Sequence, residues 1–276
     1  MLLIWSLAKL IQRKCENFKG MTMTVALYTT LGISAFGIGT LIHAASIRIP
    51  AKLEADYLGD YQELNPELKL PTPESVPSSF KLVKVRIQSI AKLQSYPVTE
   101  SALTVLTTLL VHSFGLNAST ACLWVFVATL LLLATIDAKT MFLPDQLTMP
   151  LLWFGIALAW VNGSAISLHD AVGGAILGYG LLWGAYWIFR FVMKKEGLGY
   201  GDFKLLAAMG AWLGATAVID IMLFATIAAA SLSLINLCKR SVKLTTEIPF
   251  GPYLCLGAVV SLLTELSMQE LLFASL

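Results

Sequence analysis

The sequence predicts an all-α membrane protein, a polytopic bundle of about eight transmembrane helices with one short cytoplasmic loop region after the first span. Composition is the first reason: 57% of the 276 residues are hydrophobic and 13% charged, where a soluble domain carries about 25% charged residues. Mean hydropathy is +0.75. The third reason is recurrence, because apolar runs close to the roughly 20 residues a spanning helix needs return along the whole chain. A net charge of +2 is too near neutral to point to nucleic acid as a partner, so the bilayer is the expected surroundings.

The elements follow in order. "MLLIWSLAKLIQRK" is apolar and then basic, lacks a small-residue cleavage site, and precedes a true span. It reads as an interfacial amphipathic segment rather than a signal peptide. Spans are expected near 21–45, 99–116, 119–136, 148–162, 169–192, 205–218, 219–237 and 249–274, with the break between the sixth and seventh resting on Gly214 and Asp220. Residues 1–45 thus form an N-terminal segment and first span, 46–98 a loop, and 99–276 a transmembrane domain. The loop holds Pro66, Pro71, Pro73 and Pro77. Its "FKLVKVRIQSIAKL" stretch (Phe80–Leu93) alternates basic and apolar residues, as a solvated loop with some headgroup contact would. Cys15, Cys122, Cys238 and Cys255 are scattered, with no CxxC pair and no metal-ligand spacing.

Basic residues assign the sides. The 46–98 loop holds seven of the nineteen, and Lys139, Arg190, Lys194, Lys195, Lys204, Lys239, Arg240 and Lys243 fall in alternate junctions. The intervening "SFGLNAS" and "NGSAISL" hold none. The basic junctions belong on the cytoplasmic face; Lys9, Arg13, Lys14 and Lys19 break the pattern.

Two carboxylates need explaining. Asp137 ends span three and Asp202 begins span six, so this topology puts both at the same membrane surface. A charge near lipid costs several kcal/mol and usually serves a function. Two carboxylates about 3 Å apart cannot both ionise, and such a pair can activate water and protonate a leaving group. Gly197, Gly199 and Gly201 would let a substrate backbone come close. The plainer reading is that Asp202 caps the N-terminus of span six, where an anion gains about 0.3–1 kcal/mol. Asp145, in "LPDQLT", is expected to cap span four. Lys139 and Lys204, each two residues past an aspartate, either snorkel to the interface or bias the local charge.

"IDAKTMFLPDQLTMPLLW" followed by "GLGYGDFKLLAAMGAWLG" resembles the type IV prepilin peptidases, membrane aspartic proteases of the GxGD class. "GTLIHAASIRIP", "SYPVTESALT" and "PFGPYLCLGA" resemble further family stretches in the same order, from residue 39 to 258. The resemblance implies that Asp137 and Asp202 are the catalytic pair, with Gly199 and Gly201 completing the signature and Lys139 and Lys204 supporting. It implies a type IV prepilin or type II secretion pseudopilin as substrate, cut after Gly at the end of a short basic leader. The place of action would be the cytoplasmic face of a bacterial inner membrane. Glu100 matches a family glutamate and stays outside the catalytic set. Bifunctional members carry two CxxC pairs that bind zinc in a longer loop after span one, and methylate the new N-terminus with S-adenosylmethionine. Here that loop has no cysteine, so no zinc is expected and proteolysis needs no cofactor. Methylation stays open, as does oligomeric state.

A proton-coupled transporter is the rival from another class, since intramembrane carboxylates and glycine-broken helices serve there too. It predicts similar halves, and the chain has no convincing internal repeat. Presenilin-type proteases share GxGD but carry a YD pair where this chain has "TID".

Overall fold

The structure is a computed structural model that describes residues 27–56, 98–161, 163–194, 199–238 and 249–264. The described residues form eight helices: α1 (Leu27–Asp56), then α2 (Val98–Phe114), α3 (Ala118–Thr140), α4 (Asp145–Trp160), α5 (Leu168–Met193), α6 (Tyr200–Leu213), α7 (Ala215–Cys238) and α8 (Gly251–Thr264). The all-α architecture is as the sequence predicts. The N-terminal amphipathic segment, the Phe80–Leu93 stretch, Gly197 and the basic run at Lys239, Arg240 and Lys243 lie outside the described residues.

Three boundaries differ from expectation. Helix α1 runs past residue 45 to Asp56, because nothing between Ala45 and Asp56 breaks a helix except Pro50, one residue the turn before it can absorb. The sixth span ends earlier than expected, at Gly214, whose φ of 90° is open to glycine and strained for other residues. Asp220 therefore marks no break: it lies inside α7 and is buried. Finally, α4 begins at Asp145 rather than near 148.

Four helices, α1, α3, α5 and α7, are long and apolar enough to cross a membrane, and α2 and α8 are shorter apolar helices. With 14 residues, α6 is about 21 Å long at ~1.5 Å per residue, shorter than the ~30 Å hydrocarbon core. It survives there because protein surrounds it. It packs against α4, α5, α7 and α8, and every residue from Asp202 to Trp212 is buried except Lys204.

Packing at α6 uses small residues, since lipid supplies no hydrophobic drive for helices to associate. Gly174 of α5 and Gly210 of α6 meet backbone to backbone, leaving no room for a Cβ on either. One turn along, a Cβ on Gly178 would stand 2.6 Å from the Leu206 carbonyl oxygen. On the opposite side Gly155 of α4 lies against the Trp212 ring, whose Nε1 donates to the Leu151 carbonyl at 2.8 Å. The same ring stacks on Phe126 of α3 with centroids 4.8 Å apart. Helix α1 joins from the outside through a separate small cluster of Ala35 and Ile42 with Leu103 and Ala128.

Candidate active site

Helix α3 carries Asp137 to its last turn and then stops. Met141 adopts the left-handed conformation (φ 54°), and its N–H donates to the Asp137 carbonyl at 2.8 Å. This reversal turns the chain into Leu143–Pro144 and straight into α4, which brings "LPD" back alongside Asp137. Asp202 lies in the first turn of α6, its N–H donating to the Gly199 carbonyl at 3.2 Å. Gly201 sits so close to Leu143 that a Cβ there would approach the Leu143 Cβ to 2.8 Å. That glycine lets the two aspartate-bearing turns pack together.

The result is one cleft of about 430 Å³, with Asp137, Asp145, Gly199, Gly201, Asp202 and Lys204 on its walls. Both candidate carboxylates are buried, at 5% and 8% exposure, and Asp137 lies near enough for its charge to act on Asp202. The structure thus unites the two residues that topology alone could place only at a common surface. Asp202 stands in the first turn of α6, just behind the N-cap Gly199, so its charge also suits the helix N-terminus as the plainer reading expects.

Other expectations are corrected here. Asp145 makes no cap hydrogen bond. Its carboxylate pairs instead with Lys204 Nζ, at 2.6 and 2.8 Å, tying α4 to α6 across the cleft mouth. Lys204 therefore stands on the cleft wall. Lys139 turns the other way. Its Nζ donates to Ser46 Oγ of α1 at 2.9 Å and interacts with the charge of Glu100, so it buttresses α3 from behind the cleft. Glu100 is buried, with its Oε2 unpartnered among the described residues.

Two contributions escaped the sequence. The N–H of Gly251, at the start of α8, donates to Asp137 Oδ2 at 3.0 Å, and a Cβ there would collide with that oxygen at 2.7 Å. The resemblance of "PFGPYLCLGA" was the available signal, though it assigned no contact. Near the start of α6, Tyr200 lies at hydroxyl–hydroxyl distance from Tyr186 of α5 (3.2 Å), to which Arg190 donates at 2.8 Å. This clamp holds the glycine-rich end of α6 in place, and isolated aromatic residues on an apolar helix gave no hint of it.

A helical bundle with two buried aspartates facing one cleft at one end defines a multi-pass membrane protein of the paired-aspartate kind. Its relatives narrow that class. The model of the type IV leader peptidase family matches residues 124–234, which include both aspartates. A prepilin leader peptidase/N-methyltransferase from Pectobacterium carotovorum subsp. carotovorum is 34% identical over 259 residues, covering 86% of this chain and 92% of that protein. Proteins of the same description are 46% identical over 143 residues in Escherichia coli K12 and 44% over 154 residues in Aeromonas hydrophila. These matches cover 63% and 51% of those two relatives, and 52% and 56% of this chain. No solved structure matches. The chain belongs to the type IV leader peptidase family.

Proposed function

We propose that this protein hydrolyses the peptide bond joining the short basic leader of a type IV prepilin or type II secretion pseudopilin to its hydrophobic helix, with Asp137 and Asp202 as the catalytic pair. The observation that carries the reading is the shared cleft, in which both carboxylates line one wall at the end of the bundle. Two like charges so placed hold a single proton between them. Asp137 Oδ2 already accepts the Gly251 N–H, so Asp137 is the base that takes a proton from water. Asp202 carries the shared proton and delivers it to the amide leaving group. Gly199 leaves the cleft wall bare enough for a peptide backbone to lie against it, while Gly201 lets Leu143 pack behind Asp202. The Asp145–Lys204 pair also stands on the cleft wall.

The cleft end of the bundle also carries Lys139, Arg190, Lys194 and Lys204. These basic residues support a cleft that opens on the cytoplasmic side, and in a bacterial inner membrane that is where a basic leader would emerge from the bilayer.

The test is cleavage of a prepilin in membranes by the wild type and by Asp137→Ala, Asp202→Ala and Asp145→Ala at matched expression. The expected result is cleavage after Gly that is lost in the first two variants and kept in the third. Mass spectrometry of the new N-terminus reads methylation, with S-adenosylmethionine as donor, in the same run. Cleavage by all three variants would overturn the assignment. A wild type that cuts no prepilin would favour the proton-coupled transporter.

A further inference from the structure

Helices α2 and α8 both pack on α3 yet barely meet each other. Between them runs a groove of about 470 Å³ whose walls include Ala102 and Val105 of α2, Leu130 and Ala134 of α3, and Cys255 and Val259 of α8. We propose that this groove seats the hydrophobic helix of the substrate while its leader junction lies at the Asp137–Asp202 cleft. The proposal rests on the peptidase reading above and adds to it the route by which substrate reaches the aspartates.

Continuity with the cleft identifies the occupant. Ala134 stands one turn before Asp137 on α3, and Pro252 directly follows Gly251, whose N–H holds the Asp137 carboxylate. Cys255 lines the groove and lies within electrostatic reach of both Asp137 and Asp202. The end of the groove therefore adjoins Asp137 at the first turn of α8.

The groove also has the shape and chemistry of a helix seat. Its α2 wall runs from Val98 to Leu106, about 12 Å or two helical turns. Its walls include the small residues Ala102, Ala134, Pro252 and Cys255 beside Val98, and small residues let helix backbones approach closely in lipid. The bulkier Leu106, Val127 and Leu130 line it as well. Among the described residues on its walls, Ser101 alone bears a hydroxyl. Val105 and Leu256 on its rim are 56% and 52% exposed. A segment whose scissile bond immediately precedes an apolar helix suits this layout: helix in the groove, bond at the dyad, basic leader beyond it.

The experiment uses the full chain in membranes with a full-length prepilin. Val105→Cys, Leu256→Cys and the control Ile176→Cys, on the exposed face of α5, are each combined with Asp202→Asn so that substrate is held uncut. Disulfide trapping is then scanned with single cysteines along the prepilin helix. Trapping at Val105 and Leu256 with periodicity near 3.6 residues, and none at Ile176, is expected. In parallel, Ala102→Trp on the otherwise wild-type chain should reduce prepilin cleavage roughly tenfold or more by filling the groove. A peptide containing the leader and only a few following residues should be cut by that variant as fast as by the wild type, which also shows that the variant is folded. Trapping at neither groove position, or full prepilin cleavage by Ala102→Trp, while the wild type cuts normally, would leave the groove to lipid and overturn the proposal. If the wild type itself cuts no prepilin, the peptidase reading falls and the groove assignment falls with it.

Discussion

Helices α6 and α7 are consecutive, separated only by Gly214, yet they live in opposite surroundings. Helix α6 is enclosed by protein along almost its whole length. Helix α7 buries Ala217, Val218, Asp220, Ile221 and Ala225 and turns Ile227, Leu232, Leu234 and Ile235 outward. Apolarity does not separate them, because in a bilayer an exposed leucine costs nothing. Small residues and buried carboxylates do not separate them either, because α7 carries six alanines and buries Asp220. What separates them is contact: α6 packs against α4, α5, α7 and α8 and meets α5 backbone to backbone at Gly210, with Asp202 on the cleft wall. The helix that must present chemistry is the one the bundle wraps.

That contrast is open to attack, beginning with the largest expected effect. Asp202→Asn on α6 and Asp137→Asn on α3 should each reduce prepilin cleavage by about 10³-fold or more, within the range of lost acid–base catalysis. Asp220→Asn on α7, buried but away from the cleft walls, should leave most cleavage intact. Wild-type activity against pH should form a bell, because the pair works only with one proton. Cleavage should fall at low pH as the pair takes up a second proton, and at high pH as the pair loses the shared one. Two aspartates of equal importance on α6 and α7 would break the comparison.

Packing comes next. Gly210→Leu drives a side chain into the Gly174 backbone and should destabilise the protein by at least ~3 kcal/mol, at the upper end of overpacking costs. The measurement is a thermal shift in detergent, or the folded yield. The matching change on the exposed face of α7, Ile227→Leu, should stay within about 0.5 kcal/mol.

Smaller still is Trp212→Phe, which removes the donor to the Leu151 carbonyl. It should cost about 1 kcal/mol in the same thermal assay, with cleavage retained. The smallest effect belongs to the Asp145–Lys204 pair at the cleft mouth, whose side chains are 57% and 27% exposed. Lys204→Met should change stability by less than about 1 kcal/mol, and its effect on cleavage should weaken further as salt is raised. A Lys204 variant as inactive as Asp202→Asn would promote that lysine from gatekeeper to participant.

The sequence by itself determined the class of fold, because a chain this apolar with span-length runs has only helices available to satisfy its backbone in lipid. It also brought Asp137 and Asp202 to one end of the bundle, since alternating spans and clustered basic loops fix which junctions share a face. It could not rank the helices. Spans six and seven read as neighbours of equal standing, split at the wrong residue, because hydropathy is blind to which apolar face meets lipid and which meets protein. Tertiary packing decided that α6 is central, that Gly251 holds Asp137 from a helix over a hundred residues away in the chain, and that Lys139 faces α1 rather than the cleft. It also turned Asp145 from an expected cap into the partner of Lys204. Each of these depends on which helices pack side by side, and a pattern read along one helix at a time carries no term for that.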